Sequence, residues 1–369
     1  MQPSIFKAYD IRGLYPSEID EEAAYLIGRA TVAQFSLTRL AVGRDARASS
    51  PALFEAFARG ACEQGADVID LGLLTTPMVY FAAWRYPEIE AVASITASHN
   101  PPEYNGMKIA LKNAVPVGSE SGLEDIKRRV LEKDFPESAR TGSLTSKEIK
   151  TDYYRYFGAF ADFGDWRARV VIDTANAMGV LELPIFQERH KNLELGLLYD
   201  DLEHPFSAHE ANPLKTETLD ELRTAVTSHQ ASLGIAFDGD ADRVGFVDEK
   251  GIPIPMDLVT GLIAEIVLER HPGATILYDL RSSRAVKEII EERGGKALEC
   301  KVGHANIKRQ MRDTGALFAG ELSGHYYFEE NSMAEAGSLP ALMLLNLMAK
   351  TGETHFGAGK WPAALCSFG

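Results

Sequence analysis

The sequence is poor in the features that mark several large classes of protein. It has only three cysteines, Cys62, Cys300 and Cys366. They lie far apart and form no C-x-x-C pair, and an odd number cannot close completely into disulfides. A disulfide-stapled scaffold is thereby excluded, and a reducing cytoplasm is the expected setting. No apolar run reaches the roughly 18 residues of a membrane span. The longest candidate, Leu339 to Met348, has the length of a core helix. The first residues, Met1 to Lys7, contain no apolar signal-peptide core. Positive charge is also in deficit: 38 Lys and Arg stand against 53 Asp and Glu, for a net charge of −15. That balance argues against nucleic acid or an anionic membrane as the main partner. An anionic small molecule remains compatible, because a local cluster of Arg, Lys and metal overrides the global sign.

What is present fits a folded α/β protein. Hydrophobic residues make up 45% and charged residues 25% of the 369, a globular balance in a chain too long for one ordinary core. One pattern occurs three times: an apolar strand, a polar loop, then an amphipathic helix. Its copies begin at Leu40–Asp45 with a helix over 51–64, at Val170–Asp173 with a helix toward 178–188, and at Thr275–Asp279 with a helix over 283–293. Repeats this far apart suit consecutive α/β domains, not a solenoid. The polar stretch 133–150 and the turn-rich Gly251-Ile252-Pro253-Ile254-Pro255 mark boundaries. Helices are expected at 257–270 and about 338–349. The reading is three related domains, each a mixed β-sheet between helices, over 1–150, 151–253 and 254–350. Residues 351–369, Gly-rich and nearly uncharged, read as an irregular tail.

Four segments carry possible chemistry. Thr96-Ala97-Ser98-His99-Asn100-Pro101-Pro102 follows an apolar strand, and its Asn-Pro-Pro is a strong turn signal. A serine can carry a phosphoryl group covalently, and Lys108 can neutralise phosphate or move a proton. A serine hydrolase is disfavoured, since no G-x-S-x-G elbow exists. Side chains of neighbouring residues diverge in extended backbone, so His99 is expected to be poorly placed as the base for Ser98. The second segment, Asp238-Gly239-Asp240-Ala241-Asp242-Arg243, lies between two apolar strands. Three alternate carboxylates this close call for a cation, and oxygen-only ligands point to Mg²⁺. An EF-hand is rejected because Arg243 stands where that loop needs glycine. An aspartyl-phosphate enzyme with Asp238 as nucleophile stays open. Glu321, Ser323 and His325 in Gly320–His325 suit vicinal hydroxyls of a sugar; Arg281 and His304 add basic groups nearby. Arg12 can bind phosphate bidentately.

Taken together, F-K-A-Y-D-I-R-G at 6–13, V-G-R-D-A-R at 42–47, T-A-S-H-N-P at 96–101, D-G-D-A-D-R at 238–243, K-V-G-H at 301–304 and G-E-L-S-G-H at 320–325 resemble the α-D-phosphohexomutase superfamily, closest to bacterial phosphomannomutase/phosphoglucomutase. The resemblance implies a phosphoserine at Ser98, with Ser98 and Asp238, Asp240 and Asp242 as ligands of Mg²⁺. It implies Arg12, His99 and Lys108 as catalytic groups around the reacting hydroxyl, Lys108 being the general acid/base. Arg243, Arg281, His304, Glu321, Ser323 and His325 would bind the substrate. The domains become the phosphoserine domain at 1–150, the metal-loop domain at 151–253 and the sugar-loop domain at 254–350. The implied reaction interconverts hexose 1-phosphate and 6-phosphate through a hexose 1,6-bisphosphate, which also acts as activator. Leu322 stands where the glucosamine-phosphate branch usually has Gln, so mannose or glucose phosphate is favoured over phosphoglucosamine. Family members also carry a fourth, C-terminal domain with an R-x-S-G/N-T-E-type loop. The chain lacks that segment, and a truncated or frameshifted end is expected, giving either a weakened mutase or a non-catalytic metal- and phosphosugar-binding remnant. Nothing in the sequence sets the oligomeric state.

Overall fold

The computed structural model describes residues 2–187 and 192–352, and the chain divides into two units, Met1–Thr151 and Asp152–Gly369. The expected irregular tail lies almost entirely outside the described residues; Thr351 itself still belongs to the last helix.

In chain order the first unit holds β1 (Ile11–Leu14), α1 (Glu21–Phe35), β2 (Arg39–Arg44), α2 (Ser50–Glu63), β3 (Asp67–Leu73), α3 (Thr76–Arg85), β4 (Ala91–Ile95), β5 (Tyr104–Leu111), β6 (Val115–Pro116), α4 (Leu123–Glu132) and β7 (Leu144–Ser146). The strands order β1-β5-β4-β2-β3-β7, with β6 on β5. β4, β2, β3 and β7 run parallel, while β5 runs antiparallel to its neighbours β4 and β1. Ala91–Ile95 is buried along its whole length, as befits a central strand covered on both faces. Helix starts are set by side chains that satisfy orphan backbone donors. Asp20 Oδ1 accepts from the Ala23 N–H at 2.8 Å to open α1, and Thr75 Oγ1 from the Met78 N–H at 3.2 Å to open α3. The polar boundary segment contributes β7, all of whose residues are exposed. It pairs through its backbone, to which side-chain hydropathy is blind.

The second unit holds α5 (Lys150–Gly158, which straddles the division), β8 (Ala168–Asp173), α6 (Leu183–Gln187), β9 (Leu193–Leu198), α7 (Asp220–Ser228), β10 (Leu233–Phe237), β11 (Val244–Asp248) and β12 (Pro253–Ile254). It continues with α8 (Met256–Arg270), β13 (Thr275–Asp279), α9 (Arg284–Glu292), β14 (Lys296–Cys300), α10 (His304–Thr314), β15 (Phe318–Gly320), β16 (Tyr326–Phe328), β17 (Ala334–Glu335) and α11 (Ser338–Thr351). Two five-stranded sheets result, β12-β11-β10-β8-β9 and β14-β13-β15-β16-β17. The helix expected over 178–188 is broken into a 3₁₀ stretch, Met178–Glu182, and the short α6. Pro184 has no N–H with which to continue an α-helical ladder through that point.

All three sheets share one plan. A parallel strand is followed by a loop and an antiparallel neighbour: β4 and β5, β10 and β11, β15 and β16. The three connecting loops, 96–103, 238–243 and 321–325, leave the carboxyl ends of parallel strands, where ligand sites of α/β sheets are found. They are also the loops that carry the chemical motifs.

In the first unit, α1 and α2 approach backbone to backbone. A Cβ on Gly28 would lie 2.2 Å from Phe57 O, and one on Gly60 would lie 2.1 Å from Tyr25 O. Gly60→Ala is expected to cost about 1–3 kcal/mol by forcing the helices apart. The check is a lower urea midpoint at unchanged slope; an unmoved midpoint contradicts the packing.

Candidate active site

Ser98 is buried and adopts φ 53°, the left-handed region that L-residues other than glycine rarely occupy. Its N–H donates to Thr96 Oγ1 at 3.0 Å, and its Oγ lies 3.3 Å from His99 Nδ1. The sequence reading placed His99 away from Ser98 on the assumption of extended backbone. The left-handed turn at Ser98 removes that assumption and brings the two side chains together. Arg12, on β1, donates to Asn100 Oδ1 at 2.5 Å and is paired with Asp10, while its buried Nε makes no hydrogen bond among the described residues. Lys108 is buried on β5, opposite Ser94 of β4. The first unit thus gathers a hydroxyl, an imidazole and two cationic side chains around the β4–β5 connection.

In the second unit, Asp238, Asp240 and Asp242 are buried, and one ligand oxygen from each lies within 4.8 Å of the others. The turn that groups them is fixed from all sides. Asp238 Oδ1 accepts from the Arg243 N–H at 3.1 Å, and Ala241 takes φ 62°. The Gly239 N–H donates to Ala211 O at 3.1 Å, Met178 N–H to Gly239 O at 3.2 Å, and Gly337 N–H to Ala241 O at 3.2 Å. Arg243 Nε lies 3.7 Å from Asp238 and 3.9 Å from Asp242. An all-oxygen set of buried carboxylates suits Mg²⁺ or another hard cation.

The β15–β16 loop adjoins this turn through the Val244 N–H, which donates to Gly324 O at 3.1 Å. His325 Nε2 lies 3.3 Å from Asp242 Oδ1; its Nδ1 lies 3.1 Å from Glu321 Oε2 and 2.8 Å from Ser323 Oγ. Burial works against the imidazolium, but Asp242 on one side and Glu321 on the other outweigh it and push His325 up to about 9. The Arg243 Nε, which donates to His325 Nε2 at 3.2 Å, pulls in the opposite direction. Burial likewise opposes ionisation of Glu321, yet His325, Ser323 and the Gly303 N–H hold it down to about 2. Glu321 also accepts from Arg281 at 3.2 Å and the Tyr327 hydroxyl at 3.1 Å. His304 opens α10, directly after Gly303. Cys300, buried at the end of β14, is pushed up to about 12 by burial and the Asp279 charge, which makes it an inert thiol.

Several residues that organise the site had no assigned role in the sequence reading. Asp279 holds Arg281 through Nη2 at 2.6 Å and accepts from the Leu322 N–H at 3.1 Å, so it ties the basic group to the sugar loop. His209 Nε2 lies 3.0 Å from Asp173 Oδ2, at the end of β8 beside the turn that holds the metal loop. Burial lowers the His209 imidazole, but the Asp173 hydrogen bond and charge prevail and raise it overall, with Glu221 adding to the pull. In the first unit the missed residue is Arg47. The only signal for it was the V-G-R-D-A-R stretch.

Comparison with known proteins adds to this geometry. Residues 3–137, 152–251 and 255–356 match phosphoglucomutase/phosphomannomutase alpha/beta/alpha domains I, II and III. A phosphomannomutase of Escherichia coli is 35% identical over 355 residues, which is 94% of this chain and 78% of that protein. A phosphoglucomutase of Neisseria meningitidis is 39% identical over 332 residues, 88% of this chain and 70% of that protein. The crystal structure of a phosphoglucomutase/phosphomannomutase family protein from Burkholderia thailandensis superposes with a TM-score of 0.88 at 32% identity, over 96% of this chain and 78% of that one.

Two outcomes follow from the electrostatics. Asp240→Asn relieves repulsion in the metal loop, so the chelator-treated variant is expected to melt above the chelator-treated native chain. It is also expected to lose the gain from Mg²⁺, about 2.7 kcal/mol at a hundred times Kd, in the same melting experiment. His209 titrates above its ordinary value of about 6.5, so the stability from its pairing with Asp173 is complete below that pH and is lost as pH rises through the raised value. His209→Gln should therefore flatten the fall in urea midpoint above pH 6.5. Parallel profiles for native chain and variant contradict the pairing.

Proposed function

The chain belongs to the phosphoglucomutase/phosphomannomutase family and is a phosphohexomutase, and from that premise we propose that the phosphoryl group it moves is carried on Ser98. The observation that supports this best is the loop at the end of β4, which holds a buried serine in a left-handed turn with His99 Nδ1 3.3 Å from its Oγ. The substrates are mannose and glucose phosphates, the hexoses for which the relatives above are named.

In the first half-reaction the bond between phosphorus and Ser98 Oγ breaks as a bond forms from phosphorus to the free hydroxyl oxygen of a hexose monophosphate. Lys108 takes the proton of that hydroxyl, and His99 supplies one to the departing serine oxygen. The product, a hexose 1,6-bisphosphate, returns its other phosphoryl group to Ser98 by the reverse of these steps. The same bisphosphate primes unmodified Ser98. Arg12 binds phosphate beside the serine. Arg243 and Arg281 contribute charge to the substrate, and Glu321, Ser323, His304 and His325 contribute hydrogen bonds to its hydroxyls. Asp238, Asp240 and Asp242 fit Mg²⁺, which when bound neutralises charge on the oxygens of the group in transfer. Positioning and charge neutralisation account for most of such catalysis, since phosphoryl transfer asks for little covalent chemistry from the protein.

Incubation with glucose 1,6-bisphosphate and Mg²⁺ is expected to add the mass of one phosphate, mapped to Ser98 by peptide fragmentation. Ser98→Ala should take up none and lose turnover of glucose 1-phosphate and mannose 1-phosphate by about 10³-fold or more. Phosphate on Asp238 instead would overturn the assignment and make the aspartate the nucleophile.

A further inference from the structure

Arg47 follows β2 and its guanidinium is entirely buried. An arginine carries five N–H donors in a fixed planar fork. Here each has an acceptor. Nε donates to Asp45 Oδ2 at 3.0 Å; Nη1 donates to Pro101 O at 2.6 Å and Tyr104 O at 3.1 Å; Nη2 donates to Ser98 O at 2.8 Å and Asn100 O at 2.7 Å. Asp45, the counter-charge, is itself oriented by the Arg47 N–H at 3.0 Å and Ser50 Oγ at 2.5 Å. Asn105 extends the network by donating to Ser49 Oγ at 2.8 Å and Ser50 Oγ at 2.9 Å.

Four of those acceptors are backbone carbonyls of the segment that contains Ser98. We propose that Arg47 is the positioning residue of this loop: it holds Ser98 in its left-handed conformation and so fixes where the Oγ and its phosphoryl group stand. The proposal rests on the reading of Ser98 as the phosphoryl carrier. Its physical basis is twofold. A serine at φ 53° stores on the order of 1–2 kcal/mol of strain and persists only where surrounding bonds over-determine it. The grip on Ser98 O, with the Ser98 N–H on Thr96, supplies those bonds on both sides of the residue. The sequence Asn100-Pro101-Pro102 also fits the clamp. The carbonyls of Asn100 and Pro101 each precede a proline, so their peptide units carry no N–H. Turning them inward toward a buried cation strands no donor on the opposite side.

Lysine cannot replace the fork, because a point ammonium reaches fewer carbonyls at once. Arg47→Lys, in the full chain with glucose 1,6-bisphosphate and Mg²⁺, is expected to lower kcat by about 10²-fold, the scale of a misplaced reacting group. KM for glucose 1-phosphate should stay within about threefold, since Arg47 does not touch substrate, and the burst of Ser98 phosphorylation should slow in proportion to kcat. Should Arg47→Lys fail to fold, Ser50→Ala removes one bond orienting Asp45 and is expected to give a smaller loss of the same kind, about 3–10-fold. Variants that are folded by circular dichroism and transfer phosphate within twofold of the native rate overturn the proposal. So does a loss that disappears on cooling below the melting transition, which would reduce Arg47 to a stability element. Absence of phosphate on Ser98 in the native chain would instead refute the carrier assignment itself, before any variant is compared.

Discussion

Asp238, Asp240 and Asp242 place three carboxylates in one buried loop, and the second unit is arranged to answer them. At an effective dielectric near 20, each like-charged pair at such separations repels by roughly 3–4 kcal/mol. The turn is therefore locked by backbone bonds to Ala211, Met178 and Gly337, drawn from three separate stretches of chain. Arg243 brings positive charge to within 3.7–3.9 Å of the carboxylate oxygens, and the His325 ring lies 3.3 Å from Asp242. One guanidinium does not balance three carboxylates, and a divalent cation would meet the remaining electrostatic demand. A cation there would draw on Asp242, whose Oδ1 also lies 3.3 Å from His325 Nε2.

The first unit solves the converse problem. Arg47 is a buried cation paired with the Asp45 carboxylate, and the loop carbonyls accept from its other guanidinium nitrogens. A buried charge that is fully hydrogen-bonded fixes geometry more than it adds stability. In both units an ionised group organises a loop that leaves the end of a parallel strand. The Asp–Arg pairing is repeated in the third sheet, where Asp279 at the end of β13 holds Arg281, two residues on, as Asp45 holds Arg47. The spacing is the same in V-G-R-D-A-R and in Y-D-L-R. The recurrence follows from the shared plan of the sheets: an aspartate stands at or just after the end of a parallel strand, and its carboxylate turns an arginine back toward the next loop.

The three chemical loops were legible because each packs its charge into a short contiguous segment between apolar strands. The alternation of aspartates at 238–242 needs no tertiary knowledge to suggest a cation. The strand–helix repeats at Leu40, Val170 and Thr275 were legible for the same reason, since burial of β2, β8 and β13 writes itself as apolar runs. What failed depended on partners distant in sequence or on backbone conformation. Arg47 reads as one more charge in a polar loop, because its carbonyl acceptors stand 51 to 57 positions away. His99 was placed away from Ser98 because alternation assumes extended backbone, and the left-handed Ser98 breaks it. The helix after Val170–Asp173 was drawn through Pro184. Gly28 and Gly60 look like weak points in two helices until the helices are seen to touch there.

Glu321 is a buried acceptor around which the β15–β16 loop is arranged. Its carboxylate accepts from Arg281, the Gly303 N–H, His325 and Tyr327, so its lone pairs are already engaged. A hexose hydroxyl that donates to Glu321 has to displace one of these donors. Gly303 offers a backbone group at the start of α10, and Tyr327 and His325 are buried. Arg281 is the exception, with 40% of its side chain exposed. It can leave Glu321 and keep its shorter contact with Asp279, so its charge would stay in place if a hydroxyl took over the carboxylate. Under the function proposed above, hydroxyl recognition and the release of an arginine would be one event. That exchange replaces one charge-assisted bond with another, so a tightly bound carboxylate held down near 2 still presents an acceptor to the substrate without a buried charge being left unpaired.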